Sequence, residues 1–260
     1  MNSTLLALGG PEVSALLGKL WWPFLRFSAL LWTLPLFGDL LTTPQVRILL
    51  ALALAVLVAP LVPDMPAVEP FSLAAVVLAV EQLLLGALLG LMVQILFTAM
   101  TMLGQILSLQ MGLAMGVMND PVHGDSVPRL GQLMMILGAL LFLALDGHLV
   151  AVDVMVESFF AWQPGASLFD LGLERLLALF GWLFGAALIL AMPAVIAMLL
   201  VNLTFGVMNR SAPSLNIFSL GFPIGLLMGL ICLLLSVGGV PGRFNEFASY
   251  VLDEMRALVQ

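Results

Sequence analysis

Asp146 and His148 are the side chains best suited to chemistry, because a carboxylate two residues from an imidazole can take part in proton transfer. The rest of the sequence gives this pair little support. The chain has no Gly-x-Ser-x-Gly nucleophile elbow, no second Asp in a Gly-x-Gly-Asp context, and only one other histidine, His123. A closed metal site needs about four ligands, which the sequence does not gather. We therefore expect no catalytic residue, no metal and no cofactor.

Arg26 and Glu81 lie inside long apolar segments, where a charge is costly and points to a function by default. Arg26 shares its segment with Lys19, and each central cation costs about 2.5–3.5 kcal/mol, while each Leu, Ile or Phe returns about 0.3–0.6 kcal/mol. Arg26 can therefore face protein, or it can snorkel to an interface. Glu81 is the only charge in its segment. It predicts a structural pair with Arg26 or another cation, or else a functional acid.

These residues belong to a chain of 260 residues that is 62% hydrophobic and 9% charged. Soluble domains carry about 25% charged residues, so the composition indicates a membrane protein or the inner part of an apolar assembly. The 8 Lys and Arg leave no basic patch, which argues against nucleic acid as a partner. Cys232 has no internal disulfide partner and is expected to pack. No Lys or Arg precedes Lys19, so we expect no cleaved signal peptide.

The elements that position these residues are apolar segments separated by Pro, Gly and polar residues, and each segment predicts a helix. They lie at about 13–37, 48–62, 71–111, 130–160, 171–208, 215–237 and 244–260. The fourth is interrupted near Gly147, which suits a helix end, and Pro193 predicts a kink in the fifth. The last is amphipathic and could lie at an interface or dock on a partner. The sequence therefore predicts an all-α, polytopic membrane-type fold of helical hairpins with broken and kinked helices.

The lengths of these segments fit a simple bilayer poorly. Segment 48–62 spans about 22 Å as a helix, and segment 71–111 about 60 Å, against a hydrocarbon core of about 30 Å. The long segment must bend back or stand partly outside the membrane within a protein assembly. Glycines four residues apart indicate that many helix faces meet protein. These sets are Gly86/Gly90, Gly112/Gly116, Gly181/Gly185 and Gly221/Gly225/Gly229.

A stretch rich in Met and Gly follows the third segment. Met111, Met115 and Met118 are spaced i, i+4, i+7, which places them on one face of a helix. Gly112 and Gly116 fall on a neighbouring face. Because Met is unbranched and adaptable, this stripe predicts either ordinary core filling or a surface that opens and reseals.

The most elaborate polar break separates the fifth and sixth segments, within residues 202–223. Pro213 is expected to end the first helix, because it lacks an N–H donor and clashes with the preceding turn. Arg210 needs a partner, and Asn216 opens the next helix. The stretch predicts the tip of an αα-hairpin, which either makes a specific contact or is a plain solvated loop.

This stretch also carries a resemblance. Residues 209–223 read Asn-Arg-Ser-Ala-Pro-Ser-Leu-Asn-Ile-Phe-Ser-Leu-Gly-Phe-Pro. The motif resembles the signature of the FliR family of flagellar export-gate subunits, which is homologous to the T subunit of virulence type III secretion. The similarity extends over essentially the whole chain and includes Arg26, Pro35, Glu81, Gly86, Gly90, Gln110-Met111-Gly112, Asp146-Gly147-His148 and Pro193. Ser214 departs from the Gln of many members, and Gly225 from the Lys frequent in virulence relatives. The second departure favours the flagellar branch.

The resemblance implies a non-enzymatic subunit of a helical, multi-subunit export gate in the bacterial inner membrane, at the flagellar basal body. In that family one R subunit joins several P and Q subunits in a closed ring, through which unfolded export substrates pass. The B subunit surrounds the cytoplasmic entrance, the A subunit belongs to the same apparatus, and rod components stack on the far side. An associated ATPase and the proton gradient supply the energy.

The resemblance also implies roles for parts of this chain. Residues 1–165 correspond to a P-like part, 166–237 to a Q-like hairpin, and 244–260 to the C-terminal amphipathic helix. A plug in the closed pore, at about 110–122, would use Gln110, Met111, Gly112, Met115, Gly116, Met118 and Asn119. Contacts with other subunits would use Arg26, Glu81, Asn202, Arg210, Pro213, Asn216, Phe218, Gly221 and Pro223.

Three other functions are weighed against this one. The first is the T subunit of a virulence type III secretion system. The second is a secondary transporter, which broken apolar helices also suit, although the sequence shows no inverted repeat. The third, an intramembrane protease, lacks a set of nucleophile residues.

Overall fold

A computed structural model of the chain describes residues 10–37, 42–62, 65–66, 68, 72–113, 129–165, 173–211 and 217–260. No β-strand occurs among these residues. The α-helices are α1 (Gly10–Thr33), α2 (Pro44–Val58), α3 (Leu73–Gln110), α4 (Arg129–Ala144), α5 (Gly147–Ala161), α6 (Leu173–Ser211), α7 (Ile217–Val237) and α8 (Val240–Val259), with a 3-10 helix at Pro35–Phe37. The predicted all-α fold is confirmed.

The predicted break of the fourth segment into two helices is confirmed, but its cause is a different residue. Gly147 does not end a helix. It is buried and begins α5. The left-handed residue is Asp146, with φ 56°. Asp tolerates this conformation better than most residues because its side chain is short and polar.

Two helices are much longer than a bilayer is thick. α3 has 38 residues and α6 has 39, or nearly 60 Å each at about 1.5 Å per residue. Among the described residues, these two helices are long and apolar enough to cross a membrane. The number of possible spans rises to four if each of two bent helix pairs is counted as one span. α6 is continuous on both sides of Pro193, where the kink stays a prediction.

The chain divides into two compact units. Unit 1 consists of Met1–Gln94, Asp146–Leu177 and Val251–Gln260, and unit 2 consists of Ile95–Leu145 and Ala178–Tyr250. Three helices, α3, α6 and α8, contribute residues to both units. The predicted P-like and Q-like parts stay a prediction.

In unit 1, α1 lies directly on α3 because two glycines remove the side chains between them. A Cβ at Gly86 would collide with the carbonyl oxygen of Arg26 and would stand 2.9 Å from Cβ of Ala29. A Cβ at Gly90 would collide with the hydroxyl of Thr33. The glycine pair predicted from sequence is therefore a site of close helix approach.

The end of α8 is held on unit 1 by its apolar face and by ion pairs. Val251 and Met255 are fully buried. Arg256 Nη2 lies 2.8 Å from a carboxylate oxygen of Asp153, and Arg256 Nε lies 3.4 Å from one of Glu157. The predicted amphipathic helix is confirmed, and its apolar face is buried by its own chain.

Unit 2 is built on the second half of α3. A Cβ at Gly104 would collide with the backbone of α4 at Leu130 and stand 2.6 Å from Cα of Gly131. Farther along, Phe97 and Phe142 meet edge to face with ring centroids 5.4 Å apart, a favourable geometry for an aromatic pair. These contacts fix α4 along α3.

Candidate functional site

Arg26 is completely buried in unit 1 and donates hydrogen bonds to α3, to α5 and to the residue that caps the C-terminus of α5. Its Nε donates to Oε1 of Gln82 on α3 at 2.9 Å. Its Nη1 donates to the carbonyl oxygen and the hydroxyl of Ser158 on α5, at 2.9 and 3.0 Å. Its Nη2 donates to the carbonyl oxygen of Trp162 at 2.9 Å. The guanidinium also lies over the ring of Phe159, 4.1 Å from its centroid.

This arrangement decides between the two predictions for Arg26. A snorkelling arginine would direct its guanidinium toward water at an interface. Here the guanidinium is enclosed and its planar set of donors is matched to fixed acceptors, which is the geometry that distinguishes Arg from Lys. The interface alternative is therefore wrong, and Arg26 faces protein within its own chain.

Glu81 lies beside this network and accepts hydrogen bonds of its own. Its carboxylate receives the backbone N–H of Gly165, at 2.9 and 3.1 Å from the two oxygens. The side-chain amide of Gln82 donates to Glu81 Oε1 at 3.1 Å. Within the described residues, Arg26 and Glu81 are thus joined through Gln82 rather than by a direct ion pair. Of the two predictions for Glu81, the structural one describes it better, but the side-chain amide of Gln82 lies between Glu81 and Arg26.

Gln82 is the link in this network, and the sequence did not single it out, as it did not single out Ser158 or Trp162. Its amide oxygen accepts from Arg26 and its amide nitrogen donates to Glu81, so one side chain joins the two charges. It is fully buried. The available signal was the pair of adjacent polar residues, 81 and 82, in an otherwise apolar stretch of α3.

The predicted plug segment begins where α3 ends. The N–H of Leu113 donates to the carbonyl oxygen of Ser108 at 3.0 Å, and the N–H of Gly112 donates to that of Leu109 at 3.1 Å. Gly112 has φ 75°. Together these features form a Schellman motif, in which a left-handed residue just past the helix satisfies its last carbonyl groups. Gln110 is the last residue of α3.

The Schellman motif corrects the helical stripe predicted for this segment. Met111, Met115 and Met118 share one face only if the helix continues, and it ends before Met111. Gly112 is a helix cap rather than half of a helix-packing pair with Gly116. Residues 114–128, which include Met115, Gly116, Met118 and Asn119, lie outside the described residues.

Met111 is buried against α7 within unit 2. Its exposed fraction is 4%. A Cβ at Gly229 would collide with Cγ of Met111 and would stand 2.9 Å from Sδ and 3.0 Å from Cε. The first residue after α3 therefore fills a notch that exists because position 229 is glycine.

The predicted hairpin tip lies between α6 and α7, and α6 ends two residues before Pro213. Asn202, Arg210 and Pro223 are exposed. Arg210 lies in the last turn of α6, where a cation is favourable beside the negative end of the helix dipole. Pro213 and Asn216 lie outside the described residues, and for Phe218 and Gly221 the structure describes only the helical backbone of α7.

Large apolar side chains are exposed along α6 and α7. On α6 these are Leu177, Phe180, Phe184, Leu188, Ile189, Met192, Ile196, Leu199, Leu200, Leu203, Val207 and Met208. On α7 they include Leu227, Leu230, Ile231, Leu234 and Leu235. A Cβ at Gly181, Gly185, Gly206 or Gly225 would meet nothing within 4 Å. The small-residue faces of these two helices are thus open in the single chain.

In the part of the chain that the structure describes, Asp146 and His148 are not hydrogen-bonded to each other or arranged as a catalytic pair. Asp146 is exposed, and Nδ1 of His148 is buried without a hydrogen-bond partner in the part of the chain that the structure describes. Within the same part, no group of three or more His, Cys, Asp or Glu side chains is placed to hold a metal ion.

Comparisons with known proteins agree with these features. The sequence model of the bacterial export proteins, family 1, matches residues 17–250. The chain is 36% identical over 236 residues to the flagellar biosynthetic protein FliR of Pectobacterium carotovorum subsp. carotovorum, covering 90% of each chain. It is 36% identical over 214 residues to FliR of Escherichia coli K12, covering 80% of each. It is 28% identical over 240 residues to FliR of Bacillus subtilis 168, covering 91% of this chain and 92% of that one.

Proposed function

We propose that this chain, which belongs to the bacterial export proteins, family 1, is a non-enzymatic subunit of a flagellar type III protein export gate. Membership of the family is the observation that carries the proposal. The match covers most of the chain and includes the motif at 209–223, up to residue 250. A flagellar gate is preferred to a virulence gate because the relatives compared above are flagellar biosynthetic proteins.

The surface of α6 and α7 supports a role inside an assembly. Many large apolar side chains point outward on both helices, which is costly in water and is normal in a bilayer or at a protein interface. The open glycines at 181, 185, 206 and 225 let another helix approach the backbone closely. We propose that P and Q subunits, present in several copies, cover these faces and form the closed ring with this chain.

The remaining partners and the location follow from the same proposal. The B subunit surrounds the cytoplasmic entrance, the A subunit and rod components belong to the same basal body, and unfolded flagellar substrates pass through the pore. The gate is held in the bacterial inner membrane. α3 and α6 are each about twice as long as a hydrocarbon core, which supports a complex that extends out of the bilayer.

We place the plug of the closed pore at residues 110–122. The supporting observation is the Schellman motif at Gly112, which ends the long α3 and turns the chain away from it. Met111 is held against the protein at the start of this segment. The following Met and Gly residues supply side chains that adapt their shape and a backbone that bends easily.

The proposed subunit contacts fall into two groups. Asn202, Arg210 and Pro223 are exposed near the tip of α6 and α7 and are available for direct contact. Arg26 and Glu81 are buried within unit 1, so their contribution to assembly is to hold the shape of that unit.

The proposal is tested by replacing FliR with this chain in a motile bacterium and by measuring secretion of flagellar substrates into the medium. The chain is expected to restore secretion and swimming, and a chain truncated before residue 209 is the negative control. In the same strain, Met111, Met115 and Met118 are replaced together by Gly. Ion leakage through the closed complex is expected to rise. A chain that assembles with P and Q but supports no secretion would contradict the proposal, and normal secretion with no leak would refute the plug.

A further inference from the structure

An apolar cavity of about 390 Å³ lies between α1 and α3 in unit 1. Its walls include Trp32 of α1 and Val80, Leu83, Leu84 and Ala87 of α3. Trp32 is 72% exposed, and Val80, Leu83 and Leu84 are exposed as well, so the cavity opens at the surface of the unit. Ligand pockets are mostly apolar and have volumes of about 300–1,000 Å³, and this cavity has both properties.

A smaller cavity of about 50 Å³ shares Ser28 and Trp32 with the large one and is completed by Pro44, Arg47 and Ile48 of α2. Ser28 therefore stands where the two cavities meet. Its hydroxyl oxygen is buried and has no hydrogen-bond partner among the described residues. Proteins leave few buried polar atoms unsatisfied, so this hydroxyl indicates a polar ligand atom beside it.

We propose that the two cavities together bind one membrane phospholipid. An acyl chain occupies the large apolar cavity, the Ser28 hydroxyl donates to an ester carbonyl oxygen of the lipid, and the phosphate lies beside Arg47. The order of these features along the site matches the order along a phospholipid, in which ester groups join the apolar chain to the phosphate. The site does not depend on the proposed gate function and needs only that unit 1 meets a bilayer.

The end of the site at α2 carries charge that suits a phosphate. The first turn of α2 reads Pro-Gln-Val-Arg, without an acidic side chain, and the N-terminal end of a helix is partially positive. Arg47 adds a full positive charge while it donates to the hydroxyl and the carbonyl oxygen of Thr42, at 3.3 and 3.4 Å. A guanidinium has five N–H donors, so it can bind a phosphate and keep such bonds. Basic pockets between membrane helices bind lipid head groups in this way.

The volume of the large cavity favours an acyl chain over a helix of another subunit. A helix with its side chains is about 10 Å wide and rises about 5.4 Å per turn, so the cavity holds about one turn. A partner helix would leave most of its length outside, whereas a narrow, flexible acyl chain can enter. The outward apolar side chains of α2, such as Leu49 and Leu57, also suit contact with lipid.

The site is tested by native mass measurement of the purified full chain in detergent, with added dioleoylphosphatidylglycerol or with dioleoylglycerol, which lacks the phosphate. The wild type is expected to bind the phospholipid at least about tenfold more tightly, because hydrogen bonds to charged groups are the stronger ones. Arg47→Gln is expected to remove this difference and to leave the affinity for dioleoylglycerol unchanged. Ser28→Ala is expected to weaken binding of both lipids by about threefold to tenfold.

α3 offers a matched pair of substitutions that separate the cavity from the rest of the surface. Ala87→Phe puts a ring into the large cavity, whereas Ala74→Phe adds the same ring at an exposed position of the same helix, outside the walls of both cavities. Ala87→Phe is expected to lower the affinity for both lipids about tenfold or more, because the ring excludes the acyl chain. Ala74→Phe is expected to stay within about twofold of the wild type.

The outcomes are distinct. Equal affinity of the wild type for the two lipids, or equal losses in Ala87→Phe and Ala74→Phe, overturns the proposal. Phospholipid that binds the chain alone but is missing from its complex with P and Q subunits also overturns it, because a subunit then occupies the cavity. Phospholipid that is retained in the complex and lost in Ala87→Phe supports the site. If Arg47→Gln prevents folding, the affinity ratio of the wild type and the two Phe variants decide.

Discussion

Removal of the Arg26 side chain is expected to destabilise unit 1 strongly. In Arg26→Ala, the side-chain oxygen of Gln82 loses its donor in a buried site, and the carbonyl oxygen of Trp162 loses one in a partly buried site. The carbonyl oxygen of Ser158 keeps only the hydrogen bond from the N–H of Trp162. Each buried polar group left without a partner costs about 1–3 kcal/mol. The stacking of the guanidinium on Phe159 is lost as well.

These losses overlap, because the freed acceptors relax together. The range for breaking a buried charged network, about 3–5 kcal/mol, is the better estimate than their sum. For a chain of this size such a loss lowers the unfolding temperature by roughly 6–20 °C. Arg26→Lys is expected to recover less than half of the loss, since an ammonium lacks the planar set of donors that reaches α3, α5 and Trp162 together.

The assay is thermal unfolding of the purified full chain in detergent, followed by circular dichroism. Arg243→Ala is the matched control, because Arg243 pairs with Glu246 at 3.5 Å in an exposed position. An exposed pair of this kind contributes about 0–1 kcal/mol. A shift for Arg26→Ala that is no larger than the shift for Arg243→Ala would show that the buried network does not hold unit 1 together.

Three further predictions follow from the same structure. Glu81→Gln keeps the shape of the side chain but removes the charge that accepts the N–H of Gly165, so it is expected to lower the unfolding temperature by less than Arg26→Ala does. An equal or larger decrease would contradict this expectation. Gly86→Ala forces a methyl group into the backbone of α1 and is expected to lower the free energy of unfolding by about 1–3 kcal/mol, measured by denaturation. Gly181→Ala is expected to change the stability of the isolated chain little, and equal losses in the two variants would refute the packing argument. Arg210→Ala is expected to reduce co-purification with P and Q subunits while the unfolding temperature of the isolated chain stays nearly constant, and unchanged co-purification would remove Arg210 from the proposed contacts.

The positions of the helices could be predicted from the sequence, because Pro, Gly and polar residues interrupt apolar runs at nearly every boundary. The amphipathic tail is an example, and Val251 and Met255 are buried on the predicted face. The break near residue 146 was also predicted, but not the left-handed Asp146. A Gly beside an Asp is the ordinary choice for that conformation, and only the backbone shows which residue adopts it.

The buried network could be predicted only in part. An arginine in an apolar segment looks the same whether it snorkels or meets acceptors from distant parts of the chain. Ser158 lies 132 residues from Arg26 in sequence, so no local pattern connects them. Gln82 is the intermediary because it stands between the two charges in space, and an amide in an apolar helix carries no other sign of that role.

The roles of the glycines could also be predicted only in part. Spacing of four residues groups Gly225 with Gly229 and Gly112 with Gly116. Gly229 is filled by Met111, Gly225 is open, and Gly112 caps a helix. These are three different reasons for a glycine, and each depends on what lies opposite the residue rather than on its neighbours in sequence.

The most direct test of the central claim is native mass measurement after co-expression of this chain with flagellar P and Q subunits. The account predicts one stable complex that contains a single copy of this chain and several copies of each partner. Recovery of this chain alone, or in several copies without P and Q, would contradict the claim that it is a gate subunit.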